Sequence, residues 1–309
     1  SNIIVMPRHI TIAFPGQGSQ YPGMLDHFSD NFLGEIKENV LNALSFNLFE
    51  ASKNEEELKK SSITQPAILL TSYLEFKLIL ESIPIRPNLL CGHSLGEYSA
   101  LVASGSIDLI DGLKLVHERG KLMERSNEGS MYAILNTPLD LITNYCSIAA
   151  SELGLIVSPA NINSPKQIVI SGDIPAVELT VKYLKDNGAK KCIKLNVNTP
   201  SHCELMIKAA EHFEDVINNT TFKMPTYEVI HNVDVNIATD TSQIKNKLIK
   251  QLTKPVQWVK TMEYIKKYNT IFIECGPKNV LSGLAKANSI DNIYSSSSKD
   301  FINEMQQLL

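Results

Sequence analysis

Cys91-Gly92-His93-Ser94-Leu95-Gly96-Glu97 lies between the apolar run Leu89-Leu90-Cys91 and the small-residue run Ser99-Ala100-Leu101-Val102-Ala103. This G-x-S-x-G stretch predicts a strand that turns sharply into a helix. Such a turn needs residues without bulk on either side, which Gly92 and Gly96 supply, and it pushes Ser94 outward on a strained backbone. The amides that open the helix then point towards whatever Ser94 attacks, a place suited to negative charge. The pattern leaves two readings of Ser94: a nucleophile, or an idle serine in an ordinary strand-to-helix turn. The strand before it and the small-residue helix after it favour the nucleophile.

A chain of 309 residues can form one large domain, or a large one carrying a smaller insert. Its 43% hydrophobic and 20% charged content fits a soluble globular protein with a sizeable core. The formal charge of -4 argues against a nucleic-acid partner. Charge is unevenly spread: Asp26, Asp30, Glu35, Glu38, Glu50 and Glu55 to Glu57 lie early, and Lys245, Lys247, Lys250, Lys254, Lys260, Lys266 and Lys267 lie late. Cys91, Cys146, Cys192, Cys203 and Cys275 are scattered, odd in number and without C-x-x-C spacing. That argues for reduced thiols in the cytoplasm and against a disulfide framework or a metal site. No run reaches membrane-spanning length, and Ile3-Ile4-Val5-Met6 lacks a signal peptide's layout, so no membrane association is expected. Ser1-Asn2 reads as a tag remnant.

Upstream of the elbow, Thr11-Ile12-Ala13-Phe14 reads as a buried strand running into Pro15-Gly16-Gln17-Gly18-Ser19-Gln20. Two glycines one residue apart allow a tight turn with main-chain amides near a ligand; the turn is either structural or a site loop. The missing third glycine excludes a dinucleotide fingerprint. Residues 25–60 look helical, polar and solvated. Thr64-Gln65-Pro66-Ala67 starts a helix with Pro near its first turn, through Ile68, Leu69, Leu70, Tyr73, Leu74 and Leu78. Downstream, Asp108 or Asp111 caps a helix whose apolar row is Leu109, Leu113, Val116 and Met123. Arg119 sits on the adjacent row with Leu115 and Leu122. An arginine in such a line either snorkels or meets a buried anion, and the row by itself favours snorkelling.

Residues 130–196 read as a separable βαββαβ unit. The pattern gives a strand over 131–135, a helix over 139–150, strands over 155–157 and 167–170, a helix capped by Asp173 and a strand over 192–195. That order is a ferredoxin-like split βαβ. Asn161 and Asn163 fall in the turn between its middle strands, where they either close the turn or face a ligand in the cleft between domains. The expected fold is α/β. A large α/β-hydrolase-like domain with a parallel sheet and nucleophile elbow takes residues 1–128 and 198–309, and an inserted ferredoxin-like domain takes 129–197.

In Thr199-Pro200-Ser201-His202-Cys203-Glu204, Ser201 and Glu204 have capping-box spacing, which would open a helix through Leu205, Ile207, Ala210 and Phe213. His202 would then lie in the first turn, where the helix dipole disfavours imidazolium and leaves the ring able to take a proton. It is either structural or a base; His9, His27, His117 and His212 have no organised setting. The remainder alternates again: a strand over 227–230, helices over 241–252 and 256–267, a buried strand over 270–274, and a helix over 280–287 after Gly276-Pro277.

Taken together, these stretches resemble the malonyl-CoA:acyl carrier protein transacylases. The resemblance is carried by Phe14-Pro15-Gly16-Gln17-Gly18-Ser19-Gln20, the run from Gly92 to Ala100, Arg119-Gly120-Lys121-Leu122-Met123, Asn161-Ile162-Asn163-Ser164-Pro165 and Pro200-Ser201-His202-Cys203. Gln251-Leu252-Thr253-Lys254-Pro255-Val256-Gln257-Trp258 and Glu274-Cys275-Gly276-Pro277 extend it over nearly the whole chain, in order.

The resemblance implies a ping-pong malonyl transfer from malonyl-CoA to the phosphopantetheine thiol of acyl carrier protein, in fatty acid biosynthesis. Ser94 would carry the malonyl ester, and His202 would act as base, oriented by the main-chain carbonyl of Gln251. The backbone N–H groups of Gln17 and Leu95 would form the oxyanion hole. Arg119 would pair with the free malonyl carboxylate, which reverses the snorkelling reading, and His93, Asn161 and Asn163 would line the substrate site. Neither metal nor cofactor is required, the CoA thioester being substrate, and a monomer is expected. Carrier protein is acidic, so Lys190, Lys191 and Lys286 are candidate contacts, against the alternative of a solvated surface.

One departure stands out. The family usually has a longer glycine-containing run with Met-Ala-Ala where this chain reads Glu128-Gly129-Ser130-Met131-Tyr132-Ala133, so Tyr132 is expected to alter the acyl pocket. Two other functions share some of these features. A serine esterase or thioesterase shares the elbow but would not call for Arg119, and a non-catalytic carrier-protein docking module would not keep Ser94, His202 and Arg119 together.

Overall fold

A computed structural model describes residues 8–126 and 128–309; the Ser1-Asn2 and Ile3-to-Met6 readings lie outside the described residues. The strands in chain order are β1 (Ile10–Phe14), β2 (Leu89–Gly92), β3 (Ser130–Leu135), β4 (Val157–Ser164), β5 (Gln167–Gly172), β6 (Lys191–Lys194), β7 (Glu228–Ile230), β8 (Ile271–Glu274) and β9 (Asn292–Ser295). Five of them form a parallel sheet in the order β7-β2-β1-β8-β9. Strand side chains alternate between faces. Ile10, Ile12, Phe14, Leu90, Ile271 and Ile273 join one core, while Ala13, Leu89, Cys91 and Phe272 join a second with Trp258 and Met262. Both faces are covered, which is why these strands read as continuous apolar runs. Register pairs Phe14 with Gly92 and Ala13 with Glu274, so the carboxyl ends of β1, β2 and β8 share one edge.

The first core is filled largely by the helix Ser61–Ser82, buried on nearly all sides over its first half. It begins three residues before the expected start. Its opening amide, Ser62 N–H, donates to Glu124 Oε1 at 2.7 Å, from the end of the helix Leu109–Glu124. Such a cap is invisible to local reading because its donor and acceptor are 62 residues apart. Pro66 has no N–H for the carbonyl four residues back. His117 Nδ1–H donates to that Ser62 carbonyl instead, at 2.7 Å, which gives the ring a structural task. Left unmet, a buried carbonyl costs about 1–3 kcal/mol.

Residues 25–60 are not simply a solvated face. They contain four short helices, and the segment buries Leu25, Phe28, Leu33, Val40, Leu44, Leu48, Phe49 and Leu58 in the first core. Ser29, Asn47 and Asn54 side chains cap three of them. Three of the helices have four residues, too few to show a helical apolar stripe, and the fourth, Glu35–Ala43, buries only Val40.

The second sheet is antiparallel, in the order β4-β5-β3-β6, which in units of the βαββαβ motif is the ferredoxin-like 4-1-3-2 read from β6. Helices Leu139–Leu153 and Ile174–Asp186 cover one face through Ile142, Cys146, Val177, Val181 and Leu184. Asp173 precedes the second helix, but its carboxylate takes Ile156 N–H at 2.8 Å rather than capping. Tyr132 packs on this helix-covered face, and its hydroxyl donates to Glu178 at 2.9 Å. It therefore does not reshape an acyl pocket; strand alternation sends Met131 and Ala133 to the other face instead.

The small sheet is tied to the larger domain by a bridge between β4 and Val256, in the loop before the helix Trp258–Lys266. Val256 N–H donates to Ala160 O at 2.9 Å and Ile162 N–H to Val256 O at 3.0 Å, so the edge of β4 is paired rather than open. At the far edge of β8, buried Glu274 accepts Leu281 N–H, Ser282 N–H and Ser282 Oγ–H and caps the helix Val280–Ala287. Burial raises its pKa to about 7. Strand β9 and the helix Phe301–Leu308 were not among the expected elements, although Phe301, Met305 and Leu308 have helical spacing and pack on the first core. Among the described residues no helix is long and apolar enough to cross a membrane.

Candidate active site

Ser94 sits between β2 and the helix Gly96–Ala103, with φ +53, in the left-handed region. A Cβ on Gly92 would overlap the Gly96 backbone, and one on Gly96 would overlap the Phe14 carbonyl. The elbow therefore admits only glycine on both sides of the nucleophile. It stands at the carboxyl edge of the parallel sheet, beside the loop after β1, where α/β sheets gather their ligands.

Ser94 Oγ is 2.7 Å from His202 Nε2, and His202 Nδ1 is 2.7 Å from the Gln251 carbonyl. That carbonyl can only accept, so Nδ1 carries the proton and Nε2 presents its lone pair to the serine hydroxyl. Gln251 ends the helix Thr241–Gln251, whose last carbonyls have no partner within the helix. The negative end of that helix thus faces the ring, in the place where a triad has a carboxylate.

The expected capping box is absent. Cys203 is the N-cap of the short helical turn Glu204–Met206, no side chain caps it, and the α-helix is Ile207–Asn218. His202 precedes the helix in a left-handed loop conformation, φ +59. What keeps its ring neutral is burial, followed by the Arg119 charge, which together lower its pKa to about 3. Between the ordinary histidine value of about 6.5 and that value, the unfolded chain holds a proton that the folded protein lacks. Stability therefore falls as pH drops through the window, by about 1.4 kcal/mol per pH unit for one proton. His202→Gln should flatten that slope, measured from urea midpoints at pH about 7 and about 5; an unchanged slope would contradict a buried neutral ring.

Arg119 is 1% exposed, so it does not snorkel. Its Nη1 donates to Gln65 Oε1 at 2.9 Å and its Nη2 to Gln251 Oε1 at 3.1 Å and Ser94 Oγ at 3.4 Å. The guanidinium lies over the Tyr98 ring at 5.2 Å, and its Nε has no partner among the described residues. Among those residues it also forms no ion pair. Burial lowers its pKa, as expected for a cation met only by neutral acceptors. A buried charge without its counter-ion costs several kcal/mol, which an incoming carboxylate would recover.

Neither the Gln17 nor the Leu95 amide donates to another group among the described residues, whereas the Gly96, Glu97 and Tyr98 amides are all engaged. Gly16 packs against the elbow at His93 and Leu95, which brings the Gln17 loop to the same place. His93 Nε2 donates to Asn163 Oδ1 at 2.7 Å, and burial lowers its pKa. Asn161 and Asn163 lie within β4 rather than in the following turn, because β4 stays paired with β5 as far as Ser164 and Gln167. Asn161 is at the bridge itself; Asn163 is tied to His93 and, through its carbonyl, to Asn288. Lys190, Lys191 and Lys286 are exposed and are not part of this network. No group of three or more His, Cys, Asp or Glu among the described residues could hold a metal.

Sequence reasoning missed Gln65, Asn232 and the Glu97–His231 pair, all buried at the site. Gln65 was legible as a polar residue on an apolar helix, and His231-Asn232 as polar residues directly after a strand at the ligand edge.

The acyl transferase domain family matches residues 11–298. The chain belongs to the acyl transferase domain family. This acyl transferase is 40% identical over 288 residues to the malonyl CoA-acyl carrier protein transacylase of Haemophilus influenzae, covering 90% of this chain and 92% of that one. The solved structure of the malonyl CoA-acyl carrier protein transacylase of Coxiella burnetii superposes with a TM-score of 0.92, at 37% identity and 99% coverage of both chains. A malonyl-transacylase solved in complex with its type II polyketide acyl-carrier protein gives a TM-score of 0.90 at 36% identity, covering 97% of this chain and 99% of that one.

Proposed function

We infer that this acyl transferase moves a malonyl group from malonyl-CoA to the phosphopantetheine thiol of an acyl carrier protein, in fatty acid synthesis. One observation carries the reading: a buried guanidinium without a carboxylate partner lies 3.4 Å from a serine hydroxyl that a neutral imidazole can deprotonate. The pairing calls for an acyl group that bears its own anion.

Ser94 Oγ attacks the thioester carbonyl as its proton passes to His202 Nε2. The oxyanion forms against the Gln17 and Leu95 amides, and collapse expels the CoA sulfur, which takes the proton from His202. The carrier thiol then gives its proton to His202 and attacks the ester, and Ser94 Oγ leaves with that proton. The malonyl carboxylate neutralises Arg119, which relieves the charge that depresses His202 and makes it a better base when the right substrate is bound. The scheme calls for no further cofactor, and every residue in it comes from one chain, as a monomer requires. We place carrier protein against Lys190, Lys191 and Lys286, whose exposed ammonium groups suit an acidic partner.

Intact mass after mixing with malonyl-CoA tests the reading. A stable malonyl adduct discharged by carrier protein is expected; rapid discharge into water alone would mean a hydrolase, and no adduct a docking module. Arg119→Ala should lower malonyl transfer by about 10³-fold, the worth of a buried charge-assisted pair, and acetyl transfer far less. Equal losses would remove Arg119 from substrate selection.

A further inference from the structure

We propose that Asn232 is the positioning residue of the nucleophile elbow, its side-chain amide fixing Ser94 and Gln251 so that the Leu95 amide is left free for the oxyanion. This rests on the acyl-transfer reading above. Asn232 stands two residues after β7, at the edge of the sheet that carries the site, and is 1% exposed. Its Oδ1 accepts Ser94 N–H at 2.8 Å and Gln251 Nε2–H at 3.2 Å. Its Nδ2 donates to Gly92 O at 2.6 Å. Its own N–H donates to Glu97 Oε1 at 2.6 Å, and the other oxygen of Glu97 takes His231 Nδ1–H at 3.3 Å.

One amide thus bridges the elbow from the Gly92 carbonyl at the end of β2 to the nucleophile's own N–H. A non-glycine residue at φ +53 costs about 1 kcal/mol or more and persists only where its surroundings over-determine it. The elbow's own helix does not do this. Gly96 N–H returns to His93 O and Glu97 N–H to Ser94 O, leaving the Ser94 and Leu95 amides over. Asn232 takes the first of these, and the second remains for a ligand.

The grip extends to the other two site residues. Gln251 Nε2 donates to Ser94 O at 2.9 Å as well as to Asn232, which fixes which end of that amide faces which way. Its Oε1 is thereby turned to Arg119, while its backbone carbonyl holds His202. Turned over, it would set an NH2 group against a guanidinium, donor against donor.

The test compares Asn232→Ala and Asn232→Asp with wild type, using malonyl-CoA and carrier protein. Asn232→Ala should lower kcat about 10²-fold while KM for malonyl-CoA stays within about threefold, since misplacement of the reacting groups and not recognition is lost. Asn232→Asp keeps the shape but, when ionised, sets an acceptor against the Gly92 carbonyl; protonated, it donates there as the amide does. Its activity relative to wild type should therefore rise as pH falls from about 8 to about 5. The charged and titratable groups facing the position are Glu97 from the elbow helix, His231 from the same segment and, through Gln251, Arg119 and His202. All are present in wild type, so the ratio isolates the new carboxyl. An unchanged kcat, a loss confined to KM, or a ratio flat with pH would overturn the proposal while active wild type preserves the acyl-transfer reading. Wild type that takes up no malonyl would overturn both. Should Asn232→Ala show no cooperative thermal transition, the Asp ratio decides alone.

Discussion

Ser94→Ala should leave no malonyl adduct on the intact protein and lower transfer to carrier protein by about 10⁶-fold, the scale of losing the nucleophile of a serine enzyme. The backbone has little reason to move, because alanine keeps the Cβ that already sits at φ +53, and Gly92, Gly96 and Asn232 still frame the turn. Arg119 retains Gln65 and Gln251, so binding of malonyl-CoA should survive. The informative result is therefore bound substrate without an ester, read by calorimetry beside intact mass. An adduct of undiminished yield would place the nucleophile elsewhere.

His202→Gln should slow acylation by about 10⁴-fold, the upper range for one general acid–base group. Glutamine can accept a hydrogen bond from Ser94 but cannot hold its proton near neutral pH, so the variant separates proton transfer from orientation. A residual rate is expected from the Gln17 and Leu95 amides, which still meet the oxyanion, and from the bound geometry of the substrate. Ser94 and His202 act as a unit, so the double variant Ser94→Ala with His202→Gln should be no slower than Ser94→Ala alone. Rapid-quench measurement of the first turnover checks both points. Losses that multiply would mean that the two side chains act independently, against their 2.7 Å contact.

What could be read in the chain follows from how local each interaction is. The elbow was legible because its glycine–serine pattern spans five residues, and the strand before it was apolar for burial on both faces. The βαββαβ order was legible because its helices carry continuous apolar stripes, as at Ile142, Cys146 and Ala149. The four short helices before residue 60 were not, and neither was the long β4, whose asparagines look like turn residues until β5 pairs along it. The Ser201–Glu204 pattern misled for the converse reason: its spacing fits a cap, yet the chain there is held by burial of His202 and by the Gln251 carbonyl.

By itself, then, the sequence determined the residue types, the two sheets and the glycine-framed serine, all of which depend on neighbours a few positions apart. Only the tertiary structure decided that Arg119 is buried without a counter-ion, that a helix end faces His202, and that Asn232 grips the elbow. Those contacts join groups 25 to 157 residues apart, from Arg119 with Ser94 to Gln251 with Ser94. Their energies depend on exclusion of water, and that exclusion exists only once the sheets, the elbow and the loops at the sheet's carboxyl edge have closed around one point.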